Sequence, residues 1–187
     1  IAMPDQTYRL TTPTLLIGLG GLGCSIVQEV FDGLDEETRK YTRAHVLDTD
    51  GADLKDERYD SLRTNRWQTQ TSRKVTVHEC VQQLDVGHVV SRWFPAVSAG
   101  SLLHKQMTKG AAQIRAISRL AWLDTLSSNR IDALNANLDR LFLARADGLS
   151  EAARVMIVNS IAGGTGTGLF LQMALYVREY FRQRGTT

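Results

Sequence analysis

The chain has 187 residues, a formal net charge of +2 at pH 7 and a hydrophobic content of 43%. This length is enough for one domain with an adequate core that needs no disulfides or metal ions. The near-neutral charge argues against nucleic acid or a membrane surface as the partner, and no run of roughly 20 apolar residues predicts a membrane span. Two isolated cysteines fit free thiols in a reducing compartment, and the four histidines have no metal-ligand spacing. We therefore expect a cytoplasmic protein without a histidine metal centre.

The first predicted unit is a strand, a glycine-rich loop and a helix. A short apolar run over 14–17 indicates the strand, residues 18–25 form the loop, and apolar residues recur at helical spacing over 24–34. Three glycines match the dinucleotide-binding pattern GxGxxG in the strand-to-helix context that it requires: Gly18, Gly20 and Gly23. The match is weak on its own, because glycine turns also let a helix pack closely on a strand. Cys24 falls in the first turn of this helix, where a thiol pKa tends to fall, but packing beside the loop is the favoured role.

An acidic segment follows the second predicted strand, which covers 44–47. Its aspartates, Asp48, Asp50 and Asp53, stand where a dinucleotide-binding fold places the carboxylate that holds the ribose. Carboxylates at this edge of a sheet are equally suited to hold a hydrated Mg²⁺ ion beside phosphates. The alternative is that these aspartates only form turns.

The middle of the chain carries weaker patterns. Residues 55–73 are polar and rich in arginine, which predicts a surface loop, and the alternation over 74–78 predicts a half-buried strand. Trp93 and Phe94 precede a proline and predict a packed connection rather than a regular element. We interpret the whole region 55–108 as an irregular elaboration.

The last part of the chain carries two helical patterns and a second glycine loop. Helical spacing predicts amphipathic helices over 110–123 and 131–142. A strand over 155–158 then leads into the glycine-rich run 160–168 and an apolar helix over 169–177. This arrangement directs backbone N–H groups and the positive end of the helix dipole at an anion, most simply a phosphate. Two threonines of the run could add hydroxyl donors to that anion: Thr165 and Thr167.

Strands that alternate with helices along the chain predict an α/β fold of three layers, with a mostly parallel sheet and helices on both faces. In such a sheet, the loops at the carboxyl ends of neighbouring strands converge on one crevice. The two glycine loops are therefore predicted to meet there and to hold one anionic ligand. We expect residues 1–187 to form a single nucleotide-binding domain.

Four segments, in order along the chain, resemble the tubulin/FtsZ superfamily. The run 162–168, AGGTGTG, is similar to its GGGTGTG or GGGTGSG signature, with alanine at the first position. The run 17–23 resembles the first glycine loop of FtsZ-type proteins, and 48–54 resembles their NTDAQxL loop after the second strand. The run 109–111 resembles the loop that meets the γ-phosphate. Large bacterial tubulin-like domain proteins share the most similar overall pattern, and the resemblance covers residues 14–185.

The resemblance implies a tubulin-like domain that binds GTP or GDP with Mg²⁺. Two groups of loop residues would wrap the α- and β-phosphates: Gly20, Gly21, Leu22, Cys24, Ser25, Gly163, Gly164, Thr165, Gly166 and Thr167. Asp48 and Asp50 would lie near the phosphates, with Asp50 as the Mg²⁺ ligand, and Gly110 would sense the γ-phosphate. On this basis, a valine in place of Gly164 is expected to occupy the phosphate position and abolish binding without unfolding the chain.

The resemblance also implies assembly. In this family GTP binding accompanies head-to-tail filament formation, and hydrolysis uses acidic residues that a neighbouring subunit inserts into the site. The parts that read guanine and complete catalysis would follow residue 187, so we assign no catalytic residue and expect GTPase activity only in a longer or assembled form. The expected partners are a guanine nucleotide and either further copies, in a homo-oligomer or filament, or a carboxyl-terminal half of the same protein. We expect no nucleic acid partner and no membrane span.

Two alternatives remain open from the sequence. The first is a Rossmann-type enzyme that binds NAD(P) or an adenylate, since the first glycine loop and the run 48–50 also resemble adenylating enzymes. That interpretation leaves the second glycine loop unexplained, and no pair of residues stands out as a proton donor. The second alternative is a nucleotide-free assembly module that keeps the fold. Nucleotide binding in solution distinguishes all three hypotheses.

Overall fold

The computed structural model describes residues 12–94, 100–146 and 152–184. Within these residues, four strands form one sheet: β1 (Thr14–Leu19), β2 (Thr42–Asp48), β3 (Gln68–Gln70) and β4 (Arg154–Asn159). The strand order is β3-β2-β1-β4, and every pairing is parallel. The predicted parallel sheet is confirmed, and β1, β2 and β4 each contain the apolar run that predicted them.

The described residues also form eight α-helices: α1 (Gly20–Asp32), α2 (Glu36–Tyr41), α3 (Asp60–Thr64), α4 (Val77–Leu84), α5 (Gly100–Leu103), α6 (Arg115–Ser127), α7 (Asp132–Ala146) and α8 (Gly164–Gln183). Helices α1 and α8 begin earlier than predicted, so the glycine loops supply their first turns. Helix α6 begins later than predicted, because Ala112 and Gln113 have φ angles of 48° and 62°, which a right-handed helix does not allow. Within the described residues, no helix has both the length and the apolar character needed to cross a membrane.

Successive side chains of β1 enter two cores on opposite faces of the sheet. Leu15 and Ile17 are fully buried in a core formed with α6, α7 and α8. Leu16 points the other way, into a core formed with α1 and the segment 54–67. Burying each such side chain contributes roughly 1.5–3 kcal/mol, so both faces of the sheet need a helical cover. The predicted three-layer α/β fold is therefore confirmed.

The apolar face predicted for the second amphipathic helix is also confirmed. Its four aliphatic residues are all buried in the first core: Ile131, Leu134, Leu138 and Leu141. The predicted packed connection behaves in the same way, since Phe94 is buried and Trp93 packs against the cluster that contains it. Helical periodicity over 131–141 and the aromatic pair at 93–94 therefore indicated burial correctly.

The strand predicted over 74–78 is wrong. Thr76 instead caps the start of α4: its hydroxyl accepts a hydrogen bond from the Glu79 N–H at 3.2 Å, and the Glu79 carboxylate accepts one from the Thr76 N–H at 2.7 Å. This reciprocal pair is a capping box, which the Thr-x-x-Glu spacing signals in a sequence. Val77 and Cys80 then pack with α6 in a third cluster.

The surface loop predicted over 55–73 is also wrong, because part of this segment enters the second core. Tyr59, Leu62 and Trp67 are buried there. Helix α3 ends in a Schellman turn, in which the Trp67 N–H donates to the Leu62 carbonyl at 2.8 Å. Arg66, with a φ of 57°, occupies the left-handed position that glycine normally takes. Without a glycine to mark it, this turn was not recognisable from sequence.

Candidate functional site

The two glycine loops meet at a cavity of about 320 Å³ at the carboxyl edge of the sheet. Most of the predicted site residues line it: Gly20, Gly21, Leu22, Asp48, Asp50, Gly110, Gly163, Gly164, Thr165 and Gly166. Three predicted residues do not line it: Cys24, Ser25 and Thr167. The cavity is also lined by six residues to which no phosphate contact was assigned: Leu19, Asp53, Lys109, Ala111, Ala112 and Ser160. Asp53 belongs to the predicted acidic segment, and Lys109 and Ala111 belong to the segment predicted to meet the γ-phosphate. The convergence arises because β4 pairs directly with β1, which places the loops that follow them side by side.

The two loops touch each other through glycines. Gly20 has a φ of 72°, and a Cβ atom built on it would lie 3.1 Å from the Gly166 nitrogen. A Cβ atom on Gly166 would in turn lie 3.0 Å from the Leu19 carbonyl oxygen. Both distances are tighter than most real Cβ contacts, so side chains here would push the loops apart.

The other two glycines of the GxGxxG pattern serve packing. A Cβ atom on Gly18 would lie 2.6 Å from the Gly23 carbonyl oxygen, and one on Gly23 would overlap the Val158 carbonyl oxygen. These positions let α1 lie directly on β1 and β4. The pattern therefore combines one glycine that lines the cavity with two that hold the helix against the sheet.

Two helices begin at this cavity without a side-chain cap. Helices α1 and α8, of 13 and 20 residues, start at Gly20 and Gly164, and neither has an acidic residue in its first turn. Helices α2 and α4 differ, since Asp35 and Thr76 cap them and acidic residues follow in their first turns. The N-terminal N–H groups of α1 and α8, together with the positive ends of both dipoles, are thus available to an anion in the cavity.

Asp48 connects the end of β2 to the second glycine loop. Its side chain is 3% exposed, and Oδ1 accepts hydrogen bonds from the Asp50 N–H at 3.1 Å and from the Thr165 hydroxyl at 3.2 Å. Burial raises the pKa of Asp48 above its ordinary value, and these hydrogen bonds oppose the rise. Asp48 therefore positions the start of α8 from beneath the cavity.

The two threonine hydroxyls predicted to face a phosphate both have partners inside the protein. The Thr165 hydroxyl lies 2.8 Å from the Thr49 hydroxyl and is also bonded to Asp48. The Thr167 hydroxyl donates back to the Gly163 carbonyl, within the first turn of α8. Serine and threonine commonly form such local bonds near helix starts, and sequence alone does not reveal which partner they take.

Cys24 lies beneath the loop rather than in the cavity. Its side chain is 1% exposed, and Sγ donates to the Leu47 carbonyl at 3.5 Å. Burial raises the pKa of this thiol, with the nearby Asp48 charge acting in the same direction, so the expected fall in pKa is wrong. The favoured packing role of Cys24 is confirmed.

A lysine holds the segment that faces the glycine loops. The Lys105 ammonium donates to the carbonyl oxygens of Lys109 and Gly110 at 2.8 and 2.7 Å. Burial lowers the pKa of Lys105, while the negative charge of Asp50 opposes that change. Lys109 also forms a backbone bridge with Asp50, whose Oδ1 accepts from the Ala52 N–H at 2.8 Å. The 109–110 segment is thereby held beside Asp50 at the cavity wall.

The side chains that line the cavity are mainly acidic, so an anion would bind there only together with a cation. Three aspartates line the cavity, Asp48, Asp50 and Asp53, against the single lysine Lys109. Among the described residues, no group of three or more histidine, cysteine or acidic side chains could hold a metal by itself. Mg²⁺ needs no such group, because it is usually bound by one or two carboxylates together with water and substrate phosphates. The residues present therefore fit a metal ion that arrives with a phosphate ligand.

A family model described as tubulin-like matches residues 15–187 of the chain. The matched range contains both glycine loops, the acidic segment and the 109–111 segment. The protein therefore belongs to the tubulin-like family. No match was found among curated proteins or among solved structures.

The buried carboxyl of Asp48 gives a first testable prediction, the Asp48→Asn variant. Because the folded-state pKa of Asp48 is raised above 3.8, the parent protein loses stability as the pH rises from that value through the folded pKa. The asparagine does not titrate, and its Oδ1 can still accept from Thr165. We expect the variant to gain stability relative to the parent between pH 4 and pH 7, measured by urea unfolding across that range. A difference that stays constant with pH would show that Asp48 titrates normally.

Proposed function

We propose that the chain binds a guanine nucleotide, GTP or GDP, together with Mg²⁺ in the cavity between the two glycine loops. The main support is the pair of uncapped helix N-termini at Gly20 and Gly164, which open on the same space. Each contributes about half a positive charge and up to four N–H donors. The volume of about 320 Å³ lies at the lower end for small-molecule sites, which suits the phosphate end of a nucleotide. Membership of the tubulin-like family supports guanine as the base.

The aspartates give Mg²⁺ a defined part in this proposal. With the acidic lining, phosphates without a cation would be repelled by Asp50 and Asp53. A bound Mg²⁺ would screen that repulsion and bridge phosphate oxygens to the protein. We assign the carboxylate of Asp50 as its ligand, since Asp48 is buried and bonded to Thr165.

The backbone beside Asp50 supports a ligand-sensing role for the 110–113 segment. Gly110, Ala112 and Gln113 all have positive φ angles, and the last two are not glycine. At non-glycine residues such conformations cost about 1–3 kcal/mol each and tend to occur at functional sites. A Cβ atom built on Gly110 would lie 3.4 Å from Asp50 Oδ2, and the neighbouring Lys109 forms a backbone bridge with Asp50, so the segment lies beside the proposed metal ligand. Both features are consistent with Gly110 meeting the γ-phosphate.

Self-assembly is the second part of the proposal. Leu22 and Ile161, at the ends of the two glycine loops, are 58% and 85% exposed. Apolar side chains at the rim of the site would be covered by a neighbouring copy, in a homo-oligomer or filament, or by a carboxyl-terminal half of the same protein. Hydrolysis would need acidic residues from such a neighbour, so GTPase activity is proposed only for a longer or assembled form.

One observation favours a second candidate, the nucleotide-free assembly module. Both hydroxyls that were expected to meet phosphate, those of Thr165 and Thr167, already have partners inside the protein. Hydroxyl groups that already have hydrogen-bond partners inside the protein contribute less free energy to the binding of a ligand. This candidate has the same fold and differs only in that no nucleotide binds in the cavity.

Titration calorimetry with GTP, GDP, ATP and NAD, each with and without Mg²⁺, separates these candidates. The proposal predicts binding of GTP or GDP that depends on Mg²⁺ and is tighter than binding of ATP or NAD. Binding of none of the four would support the nucleotide-free module. Tighter binding of ATP or NAD would instead support the Rossmann-type alternative.

The Asp50→Asn variant tests the assignment of the metal ligand. The asparagine keeps an oxygen for the Ala52 N–H, so the turn is preserved, but it loses the charge that attracts Mg²⁺. We expect nucleotide binding with Mg²⁺ to weaken about tenfold, whereas binding without Mg²⁺ should hold or strengthen because one charge that repels the phosphates is removed; the same titration measures both. Asp53→Asn, which alters another carboxylate of the cavity, is the matched control. An equal loss with and without the metal would contradict the role of Asp50.

A further inference from the structure

A second cavity, of about 390 Å³, lies between α7 and the amino end of β3. Its lining includes Asn65, Arg66 and Trp67 from the segment before β3, and Asp132, Asn137 and Arg140 from α7. No residue lines both this cavity and the one between the glycine loops. The two spaces are therefore separate features of the fold.

Three arginines gather at this second cavity. Arg66 and Arg140 line it, and the guanidinium carbon of Arg43 lies 5.7 Å from the centre of the Trp67 ring. None of the three forms an ion pair with a carboxylate among the described residues, whereas Arg73 and Arg130 both pair with Asp124. The lining contains one acidic residue, Asp132, and two arginines, so the local formal charge is +2 when Arg43, which lies beside the cavity on Trp67, is included.

Arg43 carries the strongest sign of an unmet partner. Its Nε is buried and has no hydrogen-bond partner among the described residues. Burial lowers the pKa of its guanidinium, and the positive charge of Arg140 acts in the same direction. A partly buried cation that faces a second cation is unfavourable unless an anion compensates it.

We propose that this cavity binds the phosphate group of a small phosphorylated molecule. A phosphate dianion matches the local charge of +2, and guanidinium groups bind phosphate oxygens in paired, planar geometry. The cavity is larger than inorganic phosphate needs, so the ester part of the ligand would pack beside Trp67. The proposal concerns a site apart from the glycine loops and does not depend on nucleotide binding there.

The indole N–H signals of the three tryptophans provide a local test by NMR. Trp67 lines the cavity, whereas Trp93 and Trp122 pack elsewhere, and the Trp67→Phe variant assigns the signal. The probes are inorganic phosphate and ribose 5-phosphate at constant ionic strength. We expect both to shift the Trp67 signal alone, with ribose 5-phosphate acting at the lower concentration. A Trp67 signal that neither probe moves would overturn the proposal. A response to inorganic phosphate alone would contradict the proposed phosphorylated molecule and show that the cavity binds only free phosphate.

Two variants separate anion binding from simple packing. Arg140→Gln should weaken the Trp67 response about tenfold or more, whereas Arg178→Gln, at an exposed arginine of α8, should leave it unchanged. If Arg43 only packs on Trp67, Arg43→Gln would lower the melting temperature and leave the phosphate response intact, which would contradict the proposal. The response should persist in a Gly163→Val variant, because Gly163 lines the other cavity. The proposal of nucleotide binding and the proposal of this phosphate site can therefore be contradicted independently.

Discussion

Replacing Gly163 by valine should weaken nucleotide binding by about 100-fold or more, equivalent to about 2.7 kcal/mol, while the fold is retained. Gly163 has an extended backbone, with φ −82° and ψ 153°, which valine readily adopts. A Cβ atom built on it meets nothing within 4 Å, so the new side chain enters open space. That space belongs to the cavity at the start of α8, where the proposed phosphate would lie. Titration calorimetry with GTP and Mg²⁺ measures the loss.

Gly100→Val is the matched control for this variant. A Cβ atom on Gly100 also meets nothing within 4 Å, but the residue does not line the cavity, so nucleotide binding should be unchanged. The earlier expectation for Gly164→Val is corrected, because a Cβ atom there would lie 2.6 Å from the Gln113 Cα. That variant would disturb the fold and could not report on the ligand alone. Full binding by the Gly163 variant would show that the phosphate does not lie at this helix start.

The second large effect is expected at Asp124, whose replacement by asparagine should destabilise the protein by about 3 kcal/mol. Asp124 is 2% exposed. Arg73 Nε lies 2.9 and 2.7 Å from its two carboxylate oxygens, and Arg130 Nη2 donates to Oδ2 at 2.6 Å. The asparagine would remove the negative charge that compensates two guanidinium groups and would present an N–H₂ donor to further donors. These bonds connect α6 to the segments that follow β3 and α6.

Thermal and urea unfolding measure this effect, with an expected fall in melting temperature of roughly 6–12 °C for a domain of this size. Asp60→Asn provides the control, since the Asp60–Arg63 pair is more than 40% exposed on both sides and should contribute little. Equal stability of the Asp124 variant and the parent would mean that the arginines find other partners when the carboxylate is lost.

Regular and repeated features of the sequence predicted the framework of the fold. Apolar runs marked β1, β2 and β4, and a 3–4 spacing of aliphatic residues marked the buried face of α7. The two glycine runs predicted that their loops would meet, because adjacent parallel strands leave no other arrangement for them. These signals are local or depend only on strand order, so they can be recognised without knowledge of the tertiary packing.

The errors occurred at one local signal that was overlooked and at one turn that lacks its usual glycine. A capping box at Thr76 started a helix in a segment whose alternation resembled a strand. A left-handed turn at Arg66, without a glycine, brought Trp67 into a core from a segment that looked like surface. The first error overlooked the local Thr-x-x-Glu signal, whereas in the second the packing of Trp67 against Phe31 of α1 overrode the polar local pattern.

The sequence by itself determined the fold class, the family and the two loops that face each other. Only the tertiary structure decided which glycines line the cavity and which, such as Gly23, hold a helix against the sheet. It also decided that Thr165, which lines the cavity, bonds through its hydroxyl to Asp48, a residue 117 positions away. The physical reason is that periodicity and glycine content act within a few residues, whereas hydrogen-bond partners and close approaches depend on which distant segments the fold brings together.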